Sequence, residues 1–372
     1  MTTTPKVSCR NIWKIFGPKG QSVVNATTIH ASKAEILART GHVVAVRDIS
    51  FDVQEGETFV VMGLSGSGKS TLLRCLPRLI EPSYGQVLID GEDIAAIDAN
   101  RLREIRRHKM SMVFQHFGLF PHRRILDNVA YGLEIQGMQK AERYARANEV
   151  LNLVNLKGWE NHYPGQLSGG MQQRVGLARA LAVNPEILLF DEPFSALDPL
   201  IRREMQDELI DLQKKMRKTL IFITHDFAEA LKLGDRIAIM KDGEFIQVGT
   251  PQQVVLYPAD DYVREFTRDV PRAKVLTAQN IMTPAPVGSS PITPIPATTL
   301  LEDLLPLVAA TDKPLPIINS VNRIIGSVDR TSVLMAMSGL ALTGQSLPEP
   351  PAPKVSEQIP PKQIAPRKGG RP

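Results

Sequence analysis

The sequence has little of what secreted or membrane-spanning chains require. Its 372 residues include only two cysteines, Cys9 and Cys75, which excludes a disulfide framework and fits a reducing cytoplasm. No stretch reaches the roughly 18–20 uncharged apolar residues needed to cross a bilayer. Met1–Cys9 has no apolar run of the signal-peptide kind. Aromatic residues make up 5% of the chain. None interleaves with the basic cluster Arg101, Arg103, Arg106, Arg107, His108 and Lys109, so nucleic acid is not an expected partner. The cluster reads either as a solvated helix face or as a contact for anionic lipid or a partner protein.

What is present points to an α/β protein. Ile49, Phe51 and Val53 alternate with Asp48, Ser50 and Asp52, the period of a half-buried strand. After a turn at Gln54–Gly56, Thr58–Met62 is a continuous apolar run, as in a strand covered on both faces. Residues 18–42 interrupt this region; within them Ser32 and Glu35 form a capping box and Gly41 a stop, which predicts a short inserted helix. Helical stretches near 123–136, 140–155, 168–182 and 200–217 alternate with the apolar runs Ile187–Phe190 and Leu220–Thr224, the pattern of a mostly parallel sheet with helices packed on it. Asp242-Gly243 between Ile237–Met240 and Phe245–Val248 predicts a tight hairpin. The composition shifts after residue 270. A Pro- and Thr-rich linker is expected at 271–291. Residues 292–340 then read as strand, helix (capped by Thr299 with Glu302), strand, strand, helix. The Pro-rich segment 341–372 cannot bury enough apolar surface to offset its chain entropy and is expected to be disordered.

Two motifs carry chemistry. Gly63-Leu64-Ser65-Gly66-Ser67-Gly68-Lys69-Ser70 fits G-x-x-x-x-G-K-[ST] between a buried strand and a helix, with Thr71 following. Such a loop turns backbone N–H groups around phosphate oxygens, Lys69 reaches the β- and γ-phosphates, and Ser70 ligates Mg²⁺. The strand Ile187–Phe190 carries Asp191 and Glu192 at its C-terminal end, where α/β sites lie. Asp191 would hold Mg²⁺ and Glu192 would polarise the attacking water. Gln115, after the apolar run Met112–Phe114, could ligate the metal or its water. His225, after Leu220–Thr224, could meet the γ-phosphate; taken alone, each would be an ordinary loop or strand-end residue. A second anion-binding helix start lies at Leu167-Ser168-Gly169-Gly170-Met171, followed by Gln172-Gln173-Arg174.

With that last segment the chain resembles the nucleotide-binding subunits of ATP-binding cassette (ABC) transporters over roughly residues 6–270. LSGGMQQR matches their signature sequence. The order also matches: P-loop, Gln115, signature, Asp191-Glu192, Asp198 in Ser195-Ala196-Leu197-Asp198, then His225. The resemblance implies a P-loop ABC cassette with a mixed, largely parallel sheet, an antiparallel β subdomain and a helical subdomain at about 116–182. It implies an ATPase coupled to transmembrane transport, with ATP and Mg²⁺ as cofactors. Two copies would form a head-to-tail homodimer in which Leu167–Met171 of one chain contacts the ATP of the other and Asp198 links the sites. Phe16, or its neighbour Trp13, would stack on adenine, and the stretch from Gln115 to about Asn128 would receive a permease. The subunit would sit on the cytoplasmic face of the plasma (inner) membrane and serve a substrate-binding protein indirectly. The insertion at 18–42, the stretch Gly63–Arg78 running on to Ile80-Glu81-Pro82, and Ala196-Leu197-Asp198-Pro199-Leu200-Ile201-Arg202 resemble glycine betaine/proline importers, which implies uptake of a compatible solute such as betaine, choline or proline. The C-terminal cystathionine β-synthase (CBS) modules of those importers sense ionic strength or a nucleotide. Residues 292–340 are similar to a single such α+β module, with Asp329 and Ser332 in reversed order at its last strand-to-helix turn.

Overall fold

A computed structural model describes residues 4–23, 31–115, 117–284 and 292–338. Along the chain come β1 (Val7–Phe16), α1 (Lys33–Thr40), β2 (Val43–Val53), β3 (Thr58–Met62) and α2 (Lys69–Cys75). Next are β4 (Tyr84–Ile89), β5 (Glu92–Asp93), α3 (Ala99–His108) and β6 (Met110–Val113). Three helices follow, α4 (Ile125–Ile135), α5 (Lys140–Leu153) and α6 (Gly169–Ala182). Then come β7 (Ile187–Asp191), α7 (Pro199–Met216), β8 (Thr219–Thr224), α8 (Phe227–Leu233), β9 (Arg236–Lys241) and β10 (Glu244–Gly249). The chain divides into two compact units between Ile246 and Gln247.

In the first unit, a four-stranded antiparallel sheet has the order β2-β1-β4-β5, and a six-stranded sheet has the order β10-β9-β3-β8-β7-β6. Strands β9, β3, β8, β7 and β6 pair in parallel. Every residue of β3, β7 and β8 is buried, because a parallel sheet is covered on both faces and its strands must be apolar throughout. The two sheets meet through Phe51 of β2 stacked on Phe59 of β3, with ring centroids 5.0 Å apart.

Local signals decide several boundaries. The expected capping box forms: Glu35 N donates to Ser32 Oγ and Ser32 N to Glu35 Oε2, and α1 stops at Gly41 in the left-handed conformation. Asp242 and Gly243 take φ of 49° and 85°, the paired positive values of the tight hairpin turn. The Gly243 N–H donates to the Ser67 carbonyl and its own carbonyl accepts from Arg47 N, so the turn also braces the loop before α2.

The basic cluster lies on and just after α3 and is largely paired within the unit. Arg101 pairs with Glu92, Arg107 and His108 with Glu104, and Lys109 with Asp90. Arg103 bonds Asn100, and Arg106 bonds the carbonyls of Pro77 and Arg78. These contacts are those of a helix face and its neighbours.

Asn128 was expected only to end a partner-facing stretch. It is fully buried on α4: its Oδ1 accepts from Phe120 N at 2.8 Å, and its Nδ2 reaches the carbonyls of Phe120, Arg123 and Arg124, each at 3.1 Å. It therefore clasps the loop before α4. Asn128→Ala should destabilise the fold by about 2–4 kcal/mol, since buried backbone groups lose their partner; chemical denaturation measures it, and an unchanged midpoint would reject the clasp.

The second unit contains α9 (Pro251–Leu256), α10 (Asp261–Thr267), α11 (Ala278–Ile281), β11 (Ile295–Pro296), α12 (Leu301–Ala309), β12 (Leu315–Ile318), β13 (Ile324–Val328) and α13 (Arg330–Ser338). Its sheet has the order β11-β12-β13, giving the strand–helix–strand–strand–helix succession expected from sequence. Two expectations change. Residues 272–281, placed in the linker, form a 3-10 turn and α11; Leu276, Ala278 and Ile281 are buried, and Leu276 O accepts from Leu301 N. The cap of α12 is Leu300, without a side-chain bond, and not Thr299 with Glu302. Thr299 is drawn away because its N–H donates to Pro296 O and its carbonyl accepts from Ala278 N. Residues 285–291 of the expected linker, and the Pro-rich tail, lie outside the described residues.

Candidate active site

The register of the parallel strands gathers the site at one edge. Met62 pairs with Thr224, Asp191 with Ile223, and Val113 with Phe190. The residues that follow each strand, Gly63, Glu192, His225 and Gln115, therefore emerge at the same C-terminal edge, although the sequence separates them widely.

The loop Gly63–Gly68 turns into α2. Gly68 has φ of 108°, and a Cβ there would strike the carbonyl of Ala45, so both backbone shape and space require glycine. Lys69 is 4% exposed. Its Nζ donates to the carbonyls of Gly63 at 2.9 Å and Leu64 at 3.0 Å, and lies 3.7 Å from Glu192 Oε1. Burial lowers the Lys69 pKa, while the carboxylates of Glu192 and Asp191 oppose that shift. Ser65 and Gly66 shape the loop tip, and Ser70 and Thr71 lie in the first turn of α2.

Glu192 follows β7 with a left-handed φ of 47°, a conformation that costs a non-glycine residue about 1–3 kcal/mol and persists only where the surroundings fix it. Its N–H donates to Ile223 O at 3.1 Å, its Oε2 meets His225 Nδ1 at 2.9 Å, and its carbonyl accepts from Ser195 Oγ at 2.9 Å. Gln115 Nε2 donates to the same Ser195 Oγ at 3.3 Å. Gln115, Ser195, Glu192, His225 and Lys69 thus form one connected set. Ser195 was not singled out in the sequence, where a serine in a loop carries no signal of its own.

Asp191 is 2% exposed; Arg74 Nη2 holds its Oδ2 at 3.0 Å, and its buried Oδ1 has no hydrogen-bond partner. An unpartnered buried carboxylate oxygen is the kind of hard oxygen donor that magnesium takes, with hydroxyl, amide, phosphate and water oxygens completing its shell. Arg74 was also missed, though it follows Ser70 by one helical turn. Among the described residues no group of three or more His, Cys, Asp or Glu gathers to hold a metal by itself.

Of the two aromatic candidates, Trp13 is 5% exposed and packs in an apolar cluster with Ile15 and Val44, while Phe16 is 42% exposed. Phe16 is therefore the ring open to a base. Ser168 caps α6, accepting from Met171 N at 3.3 Å. Leu167–Met171 thus opens a different helix from the one that carries Lys69. Asp198 caps α7, its Oδ1 accepting from Leu200 N and Ile201 N, each at 3.1 Å.

A phosphate cradle before α2, facing an acid held in a strained backbone, makes the chain a P-loop nucleoside triphosphatase. Comparison with known proteins narrows this. Residues 46–195 match the family model described as ABC transporter. The chain is 57% identical over 277 residues to the glycine betaine/carnitine transport ATP-binding protein GbuA of Listeria monocytogenes, covering 74% of this chain and 70% of that one. It is 45% identical over 334 residues to the trimethylamine N-oxide transport system ATP-binding protein TmoW of Pelagibacter ubique, covering 89% of this chain and 96% of that one. Among solved structures, the dimeric bacterial ABC transporter cassette MJ0796 is 35% identical, with a TM-score of 0.56 over 66% of this chain and 98% of that one. The same cassette is also known in a post-hydrolysis dimer bound to ADP and Pi. The chain belongs to the ABC transporter family and is one of its ATP-binding subunits. Among the described residues no helix is long and apolar enough to cross a membrane.

Proposed function

We propose that this chain is the ATPase of an importer for small methylated amines, glycine betaine foremost. It works as a homodimer on the cytoplasmic face of a membrane, beside a permease and, through it, a substrate-binding protein. The observation that carries the catalytic reading is the connected set Lys69–Glu192–His225 at one sheet edge. Phe16 stacks on the base. Gly63–Gly68 supplies backbone N–H groups to the phosphates, with Ser70 and Thr71 at the start of α2 beside them. Lys69 exchanges the loop carbonyls for β- and γ-phosphate oxygens. Ser70, Gln115 and Asp191 would hold Mg²⁺, which supplies charge neutralisation at the phosphate oxygens. Glu192 orients and polarises the attacking water, and His225 holds the γ-phosphate side of the site. Leu167–Met171 of the partner chain covers the nucleotide from the other side, and Asp198 links the two sites. ATP closes the dimer and hydrolysis reopens it, moving the permease through its differential contacts with the two states. Residues 292–340, in the second unit, are the CBS-like module and sense ionic strength or a nucleotide; there Asp329 Oδ1 caps α13 by accepting from Ser332 N at 2.7 Å.

A second substrate, trimethylamine N-oxide, is favoured by one observation: the trimethylamine N-oxide relative aligns over 96% of its length, against 70% for the betaine/carnitine relative. Uptake of labelled glycine betaine and labelled trimethylamine N-oxide, compared between wild-type cells and cells lacking this chain, decides. Loss of betaine uptake supports the first reading. Loss of trimethylamine N-oxide uptake alone moves the assignment to the second, and no change in either rejects both.

A further inference from the structure

The start of α7 touches two parts of the site that share no element. On one side, the Ile201 side chain packs directly against Gly170, leaving no room for a Cβ there. On the other, Arg202 Nη2 donates to Leu197 O at 3.2 Å and Nη1 to Asp226 Oδ2 at 3.4 Å. Asp226 follows His225 directly, and its N–H donates to Thr224 Oγ1 at 2.9 Å. Thr224 Oγ1 in turn donates to the buried carboxylate of Glu229 at 2.6 Å, so the residues on both sides of His225 are held by one network. That network is incomplete in one place. Arg202 Nε is buried without a hydrogen-bond partner and stands 3.9 Å from Glu229 Oε1. A small shift of α7 would close this gap to a direct charge-assisted bond with Glu229 Oε1, which already accepts from Gln206 Nε2 at 3.1 Å.

We propose that Arg202 and Glu229 are positioning residues that couple Gly170, through Ile201 and the first turn of α7, to the placement of His225. Docking of the partner's nucleotide on Ser168-Gly169-Gly170 then sets the histidine of the same chain's own ATP site. The inference rests on the homodimer reading above. It gives each chain a way to hydrolyse its own ATP only when its signature segment is occupied, so that both sites fire in the closed state. The elements are contiguous, and a cycle of mutants measures their coupling.

The test is steady-state ATP hydrolysis by the full chain carrying Arg202→Gln, His225→Ala, or both. Arg202→Gln should lower kcat about tenfold while KM for ATP stays within about twofold, because ATP binding groups are untouched. On the His225→Ala background the same substitution should lower the residual rate by less than about twofold, since the two act in series. A loss of equal size on both backgrounds, or a raised KM with unchanged kcat, overturns the proposal. Arg202→Lys guards against a folding defect: lysine keeps the charge but cannot bridge Leu197 O and Asp226 together, so an intermediate kcat is expected and a full rate would reject the bridge. Sedimentation of Glu192→Gln with ATP separates the two ideas. Without a dimer there, the homodimer reading falls and the relay with it; with a dimer there and additive losses, the relay alone falls.

Discussion

Glu192→Gln should lower ATP turnover by about a hundred- to ten-thousandfold, the range for removing a group that handles the attacking water's proton, while ATP affinity changes by less than about threefold. Glutamine has the same shape, so the bonds that fix the backbone at this residue survive: Ile223 O and Ser195 Oγ contact main-chain atoms of Glu192. What disappears is the negative charge facing His225 Nδ1 at 2.9 Å and Lys69 Nζ at 3.7 Å. The variant should therefore bind ATP and accumulate as the closed dimer, visible by size exclusion with nucleotide present. Single-turnover hydrolysis near the wild-type rate would show that another group activates water.

The second large effect is expected at Lys69. Its ammonium is already dehydrated and rests on the loop's own carbonyls. Arriving phosphate oxygens offer it charge-assisted bonds, each worth about 1.5–3 kcal/mol. Lys69→Ala should therefore weaken ATP binding by about ten- to a hundredfold, measured by titration calorimetry. Lys69→Met fills the buried volume of the stem while removing the charge, so it should lose the same affinity with a smaller fall in melting temperature. Unaltered affinity in both variants would count against the phosphate-binding role of the loop.

The site was legible to the extent that its chemistry is local in sequence. The loop Gly63–Ser70 has a fixed spacing because a strand, a turn and a helix start must follow one another around a phosphate. The same holds for Ser32 with Glu35, and for Asp242-Gly243, where two consecutive positive φ values leave few residue choices. Thr299 with Glu302 shows how such a signal fails. The spacing fits a capping box, but the backbone of Thr299 is engaged by Pro296 and Ala278, and a tertiary contact outweighs a cap worth about 1 kcal/mol. The linker expectation failed for a related reason. Residues 272–281 are too short a stretch to show a helical period, yet Leu276 and Ile281 bury themselves completely within the second unit.

The sequence by itself determined that the chain is an ABC ATP-binding subunit, because the motifs Gly63–Ser70, Leu167–Met171 and Asp191-Glu192 each place particular atoms at a fixed spacing along the backbone. Only the tertiary structure decided which ring is open, Phe16 or Trp13, and which cations of the α3 segment are already paired. It alone brought Ser195 under Glu192, closed Asn128 around its loop and set Arg202 between Leu197 and Asp226. Asp226 lies 24 residues from Arg202, and Gln115, bonded to the same Ser195, lies 80 residues from it; no local pattern encodes such pairs. Burial and long-range hydrogen bonding depend on where parallel strands place their ends, and that is settled only when the sheet has formed.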